Sequence, residues 1–361
     1  MLFNSFAFAI FLFVVLAVYW TLRTPERQNP FLLVASLFFY GVGGPWFVLL
    51  ILLCAMSAYV AGLLIEGRPE QSRQALILGA LVPLLVLFTF KYFDFFFESV
   101  DTTLNTLGLP VSDVTLRLGL PIGISFFTFQ SVGYVVDVHR GSISAERSLV
   151  DFLLFVTFFP QLVAGPIERA DHLLPQIRRQ RTFTDADVGG GAFLIVQGFA
   201  KKVVIADNAK PIVDSLFELD GISGPLILAG LIGFTFQIYG DFSGYSDIAR
   251  GVSRLMGFEL LENFHRPYWS PNPSEFWRRW HITLSSWFRD YVYITLGGNR
   301  SGAVRTLVNL LGTMTLSGLW HGASANFVLW GAFHGLLLIA HRLWRQRRPV
   351  ASTNHVSVMA S

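Results

Sequence analysis

The stretch FNSFAFAIFLFVVLAVYW, residues 3 to 20, carries no charged side chain, and QALILGALVPLLVLFTFKYF, residues 74 to 93, carries one. About 20 such residues in a helix cross the roughly 30 Å hydrocarbon core of a bilayer. Comparable runs recur near 31–41, 45–65, 116–138, 149–164, 190–206, 225–240, 304–320 and 324–344. Inside lipid every backbone N–H and C=O must find its partner within the protein, which confines such a chain to helices. Composition agrees, at 53% hydrophobic and 14% charged with a mean hydropathy of +0.52. The expected fold is an all-α polytopic membrane protein with about 9–11 membrane segments, several too short to cross unaided. No internal repeat or linker interrupts the sequence, so one continuous domain is expected over 1–361: N-terminal spans 1–120, a core 121–345 and a polar tail 346–361.

The single cysteine, Cys54, lies in an apolar run, which rules out an intrachain disulfide and suits packing. A net charge of +3 calls for no nucleic acid, because membrane proteins gather Lys and Arg in cytoplasmic loops. By that rule the basic segments 139–148 and 168–181 are expected inside, and 98–115, with three acids and no Lys or Arg, outside. The first run has no basic residue before it, and Arg23 and Arg27 follow it. It therefore reads as a retained helix with its N-terminus outside rather than a cleaved signal.

From 241 to 300 the composition shifts toward Arg, Asp, Trp and Pro. Asn272, Pro273 and Glu275 make a helix start: a capping side chain, a proline at the first helical position and an acid at the third. Continued at 3.6 residues per turn through NPSEFWRRWHITLSSWFRDYVY, the helix places Trp277, Trp280, His281, Leu284, Trp287 and Phe288 on one face. Arg278, Arg279 and Arg289 fall on another, toward headgroups or an anionic ligand. Arg278 and Arg279 suit phosphate, because guanidinium presents paired donors to phosphoryl oxygens.

TLSGLWHGASANFVLWGAFHG, residues 315 to 335, sets His321 and His334 in an apolar run. Arg300 and Arg305 precede it and Arg342, Arg345, Arg347 and Arg348 follow, so both ends are expected in the cytoplasm and the stretch is a hairpin. A first arm of 306–318 reaches only about 20 Å at 1.5 Å per residue, leaving a non-helical apex within the membrane thickness. Gly318 and Gly322 would supply its permissive backbone. An ionisable residue at that depth is a functional residue by default, and His321 is the leading candidate. His334 and His341 are expected to be structural. No histidine pair has the i, i+4 spacing of a helical zinc site, so no metal is predicted. The glycines of DVGGGAF, 187 to 193, follow no strand and make no nucleotide loop.

Five ordered motifs, PIGISFFTFQSVGYVVDVHRG (121–141), FFPQLVAGPIERA (158–170), YGDFSGYSDIARGVSRLMGFEL (239–260), SEFWRRWHITLSSWFRDYVYITLGG (274–298) and LWHGASANFVLWGAFHG (319–335), resemble the membrane-bound O-acyltransferase superfamily. Within it they are similar to the bacterial alginate O-acetylation branch, related to the membrane proteins of teichoic-acid D-alanylation. The resemblance implies a helical bundle around a membrane tunnel, an essential histidine at the position of His321 and a second at that of His281. It also implies a bacterial inner-membrane protein that takes an acyl group from a cytoplasmic donor, acetyl-CoA or another thioester, with no permanently bound cofactor. The group is delivered for O-acetylation of an exported polysaccharide with a separate periplasmic acetyltransferase as partner. Members ordinarily carry further spans beyond this point, whereas the tail here is polar.

On this reading His321 is the general base for an acceptor hydroxyl or thiol attacking the thioester carbonyl, since an imidazole titrating near 6.5 suits that task. His281 would orient the acceptor or steady the oxyanion, with an indole N–H such as that of Trp280 as donor, and Trp320 is expected to line the tunnel or substrate site. Asp241 and Asp247 are expected to line the tunnel or hold structure, Asp247 pairing with Arg250 three residues on. Other acceptors, such as a lipid, a protein or a D-alanylated polymer, keep the same chemistry. A proton-coupled transporter would need paired repeats that the sequence lacks.

Overall fold

A computed structural model describes residues 1, 3–109, 115–163, 165–182, 184–219, 221 and 223–347. Part of the acidic segment 98–115 and most of the polar tail lie outside these residues. Among the described residues sixteen α-helices follow one another: α1 Phe6–Thr21, α2 Pro25–Gly41, α3 Phe47–Gly67, α4 Ser72–Leu87, α5 Phe93–Thr106, α6 Ile124–His139, α7 Leu149–Thr157, α8 Phe159–Leu162, α9 Ala170–Arg178, α10 Asp185–Phe199, α11 Asp207–Glu218, α12 Gly224–Leu255, α13 Pro273–Arg279, α14 Ile282–Trp287, α15 Ala303–His321 and α16 Ala325–Arg347. No strand occurs among the described residues. Five helical stretches are long and apolar enough to cross a membrane, namely Phe47–Gly67, Pro69–Thr106, Asp185–Glu218, Gly224–Leu255 and Ala325–Arg347. The chain is a multi-pass, all-α membrane protein. Two of these stretches are joined by wider π-helical turns, Phe88–Tyr92 between α4 and α5 and Ala200–Ala206 between α10 and α11.

The helices form two compact units, one through Phe264 and one from His265 on. In the first, Phe3, Phe8, Phe39 and Phe159 meet ring to ring at the core. Arg181, only 5% exposed, is anchored by Gln28 Oε1 at 3.1 Å, Asn29 Oδ1 at 2.6 Å and the Ile177 carbonyl at 2.8 Å. α12 continues through the polar motif to Leu255, farther than its apolar run predicts. Along it Asp247 meets Lys201 at 2.5 Å and Asp241 meets Lys202 at 2.5 Å, while the expected Asp247–Arg250 contact is longer, at 3.8 Å. Opposite charges placed one against another let a polar helix lie beside an apolar one.

The second unit holds α13 to α16. Its largest element is the α15–α16 hairpin, as expected, but α15 is 19 residues long and reaches about 28 Å, not 20 Å. The helix continues through His321, and the turn is confined to residues 322–324.

Candidate active site

α13 begins as the capping residues dictate: Asn272 Oδ1 accepts the Glu275 N–H at 2.9 Å, with Pro273 at the first helical position. The continuous helix expected beyond it does not form. α13 stops after seven residues, Trp280 is extended, and His281 adopts a left-handed backbone at φ 42°, ψ 57° before α14 starts. Every carbonyl of the break finds a donor. Arg279 C=O accepts the His265 N–H at 3.0 Å, Trp280 C=O the Ser285 hydroxyl at 3.1 Å, and His281 C=O the Ser285 N–H at 2.9 Å. Left-handed backbone costs a residue with a β-carbon about 1–2 kcal/mol and persists only where the surroundings enforce it. Here it delivers His281 to a site with no solvent exposure.

The second histidine arrives from α15. Neither hairpin glycine is needed for its backbone angles, contrary to expectation, since Gly318 is helical and Gly322 is extended at φ −165°. Both serve close approach instead. A β-carbon on Gly318 would lie 2.2 Å from the Phe327 carbonyl oxygen, and one on Gly322 2.2 Å from the Phe327 ring. α16 can therefore lie directly against the end of α15.

The two imidazoles come to 6.3 Å between ring centroids. Trp320 touches both, at 5.6 Å from His281 and 5.0 Å from His321. Trp330 lies edge-on to His321 at 5.2 Å, and Phe327 stacks at 6.4 Å. An outer layer follows, in which Trp277 contacts Trp330 at 5.7 Å and His334 at 5.1 Å. His334 thus packs among indoles on the same helix face as Trp330.

Beside these rings runs a cavity of about 920 Å³ between α13, α14, α15 and α16. Trp277, Ile282, Met314 and Ser317 line it, as do Arg278, Arg289, Arg342 and Arg345. Ser317 is one turn before His321, about 6 Å along α15. Asn299 Oδ1 accepts hydrogen bonds from Arg342 at 3.1 Å and Tyr293 at 2.6 Å, so a neutral amide orients this guanidinium without neutralising it. His341, also in the wall, is hydrogen-bonded through Nδ1 to the Ser274 hydroxyl at 3.0 Å.

Set against the sequence reading, His281, His321 and Trp320 come together. Trp280 points its ring to Phe276 at 5.6 Å and Tyr268 at 5.9 Å. Arg278 and Arg279 both pair with Glu275, at 3.2 and 2.9 Å, and part company: Arg278 lines the large cavity, Arg279 a smaller one with Arg266 and Trp269. Asp241 is the ion-pair partner of Lys202 in the first unit. Sequence reasoning missed Arg342 with Asn299, 43 residues apart, and Trp277 between the cavity and His334. The clustering of Arg342 and Arg345 beyond the hairpin was the available signal.

The membrane-bound O-acyltransferase family model matches residues 141–358. A probable alginate O-acetylase of Pseudomonas aeruginosa is 44% identical over 94% of this chain and 65% of its own length. The corresponding protein of Azotobacter vinelandii is 44% identical over 96% of this chain and 69% of its own. A peptidoglycan O-acetyltransferase of Helicobacter pylori is 35% identical over 89% of the chain and 66% of its own length. The chain thus spans about two thirds of the length of the curated relatives it matches.

Proposed function

Because the chain belongs to the membrane-bound O-acyltransferase family, we propose that it is an O-acyltransferase of the bacterial inner membrane. It takes an acetyl group from a cytoplasmic thioester, such as acetyl-CoA, for O-acetylation of an exported polysaccharide such as alginate. A periplasmic acetyltransferase completes the delivery. The observation that carries this reading is the meeting of His281 and His321, from two separate elements, inside one aromatic enclosure beside an arginine-lined cavity.

His321 takes the proton of the acceptor hydroxyl as its oxygen bonds to the thioester carbonyl carbon. The carbon–sulfur bond then breaks, and the imidazolium returns the proton to the departing thiolate. The reaction is proton-neutral and needs no relay to bulk water. His281 holds the acceptor or the developing oxyanion from the opposite side, where a donor in a water-poor site is worth most. Indole and phenyl rings of Trp320, Trp330 and Phe327 flank His321 and leave the acceptor a narrow approach. Guanidinium groups of Arg342, Arg345 and Arg278 meet the phosphoryl oxygens of the donor.

The test is the acetyl-ester content of extracellular polysaccharide in cells lacking the gene, complemented with wild type, His321→Ala or His281→Ala. Wild type is expected to restore the ester. His321→Ala, at equal membrane level, is expected to lower it about 10³-fold, the scale of a lost general base. Full restoration by His321→Ala overturns the assignment. If wild type restores no ester on this polysaccharide, peptidoglycan and teichoic-acid esters are the next acceptors to measure.

A further inference from the structure

The cavity does not include His281 or His321 among its lining residues; on α13 it is lined by Ser274, Trp277 and Arg278. One side of that indole faces the cavity. The other is packed edge-on at 5.7 Å against Trp330 and at 5.1 Å against His334, and Trp330 lies 5.2 Å from His321. Trp277 is therefore the outer and Trp330 the inner of two indoles that lead from the cavity to the imidazole. It is 8% exposed and sits four residues before the enforced break at His281. Its indole N–H is buried and has no hydrogen-bond partner in the structure. A buried donor left unmade is costly, and the carbonyl of a ligand seated against the ring would satisfy it.

Resting on the thioester reading, we propose that Trp277 determines the length of the acyl group this site accepts. The acyl chain is the leading end of the donor and must pass the indole to bring its carbonyl to His321. Beyond Trp277 it meets Trp330, Trp320 and Phe327, rigid rings already in contact with His321. Trp277 and Trp320 are each 8% exposed, and rings packed that way do not yield to an added methylene as a flexible aliphatic wall would. A two-carbon acyl group enters; each further carbon has to displace one of them. The buried N–H supplies the second half of the selection, because a carbonyl seated at the depth that suits a short chain is the one that reaches it.

The experiment compares acetyl-, propionyl-, butyryl- and hexanoyl-coenzyme A as donors for the full chain in membrane vesicles. Acceptor-dependent thiol release and the acyl esters formed are both measured. Wild type is expected to lose about tenfold or more in kcat/KM per added carbon, the usual scale for a methylene in a closed pocket. Trp277→Ala is expected to flatten that ladder to within about threefold from acetyl to butyryl, with butyryl transfer rising above wild type. Trp277→Phe, which keeps a ring but loses the N–H, falls between. Trp277→Leu stands in if the alanine variant does not accumulate. The proposal is overturned if the wild-type ladder survives in the alanine or leucine variant, if all four donors fall by the same factor, or if wild type shows no ladder. Thiol release from none of the four by wild type defeats the thioester reading, and this proposal with it.

Discussion

Between α10 and α12, Lys201 meets Asp247 and Lys202 meets Asp241, each at 2.5 Å. The helices touch there through glycines; a β-carbon on Gly198 would lie 2.6 Å from the Gly244 carbonyl oxygen. Around α15 and α16 backbones also touch through glycine, at Gly318, yet the ionisable groups are imidazoles among indole rings. Both regions put titratable side chains in apolar surroundings, where each is expensive unless it has a use. In the first, opposite charges meet in fixed clusters, Lys202 between Asp241 and Asp207 and Asp247 between Lys201 and Arg250, which makes them braces. In the second, no carboxylate faces the imidazoles in the contacts described; their neighbours are each other and the rings of Trp320, Trp330 and Phe327, which on the proposed function leaves His321 able to take a proton. The neighbours of an ionisable group, more than its depth, separate structural from chemical roles.

The sharpest break of this contrast pits His321→Ala, which is expected to cost about 10³-fold in transfer with the fold intact, against Lys201→Ala. Removing Lys201 leaves the Asp247 carboxylate only the longer contact with Arg250, at 3.8 Å, and is expected to cost about 3 kcal/mol of stability, read as thermal unfolding in detergent. Transfer per folded molecule should stay at the wild-type level. A variant that unfolds normally but transfers nothing would move Lys201 into the reaction and end the contrast. Gly318→Ala sharpens it from the other side. The added methyl meets the Phe327 carbonyl, and forcing the helices apart is expected to cost about 2 kcal/mol while also shifting His321. Stability and transfer should fall together there, as they do not for Lys201.

The smallest effect belongs to a third arrangement, a histidine used as a brace. His172 on α9 lies 2.7 Å from buried Glu168, which also accepts the Leu261 N–H at 2.7 Å. The hydrogen bond to Glu168 raises the His172 pKa above its ordinary value near 6.5. Burial raises that of Glu168. The folded state therefore holds protons that the unfolded chain releases. The His172 contribution is fully present below about pH 6.5 and is lost as pH rises through its raised value. Unfolding temperature should decline between about pH 6 and pH 8 in wild type and less so in His172→Gln. An equal decline in both would show that the pair does not link to folding.

Helix positions were largely legible, because apolar runs and capping residues act locally. The runs near 45–65 and 324–344 became α3 and α16, and Asn272 caps α13 where its spacing to Glu275 requires. His321 was legible as a candidate because an imidazole in an apolar run calls for an explanation. The break at His281 was not, since no glycine or proline marks it and the aromatic spacing fits an unbroken helix. Arg278 and Arg279 looked like a matched pair, but Glu275, three and four residues away, takes both.

The sequence by itself determined an all-α membrane protein, its helices, its hairpin and the histidine to suspect, because hydrophobic length, caps and charge bias depend on neighbouring residues alone. Only the tertiary structure decided that His281 would turn left-handed to meet His321, that Trp277 would line the cavity, and that Arg342 would be aimed by Asn299. Those outcomes depend on packing between elements distant in sequence, whose combined contacts outweigh the local preference of any one residue.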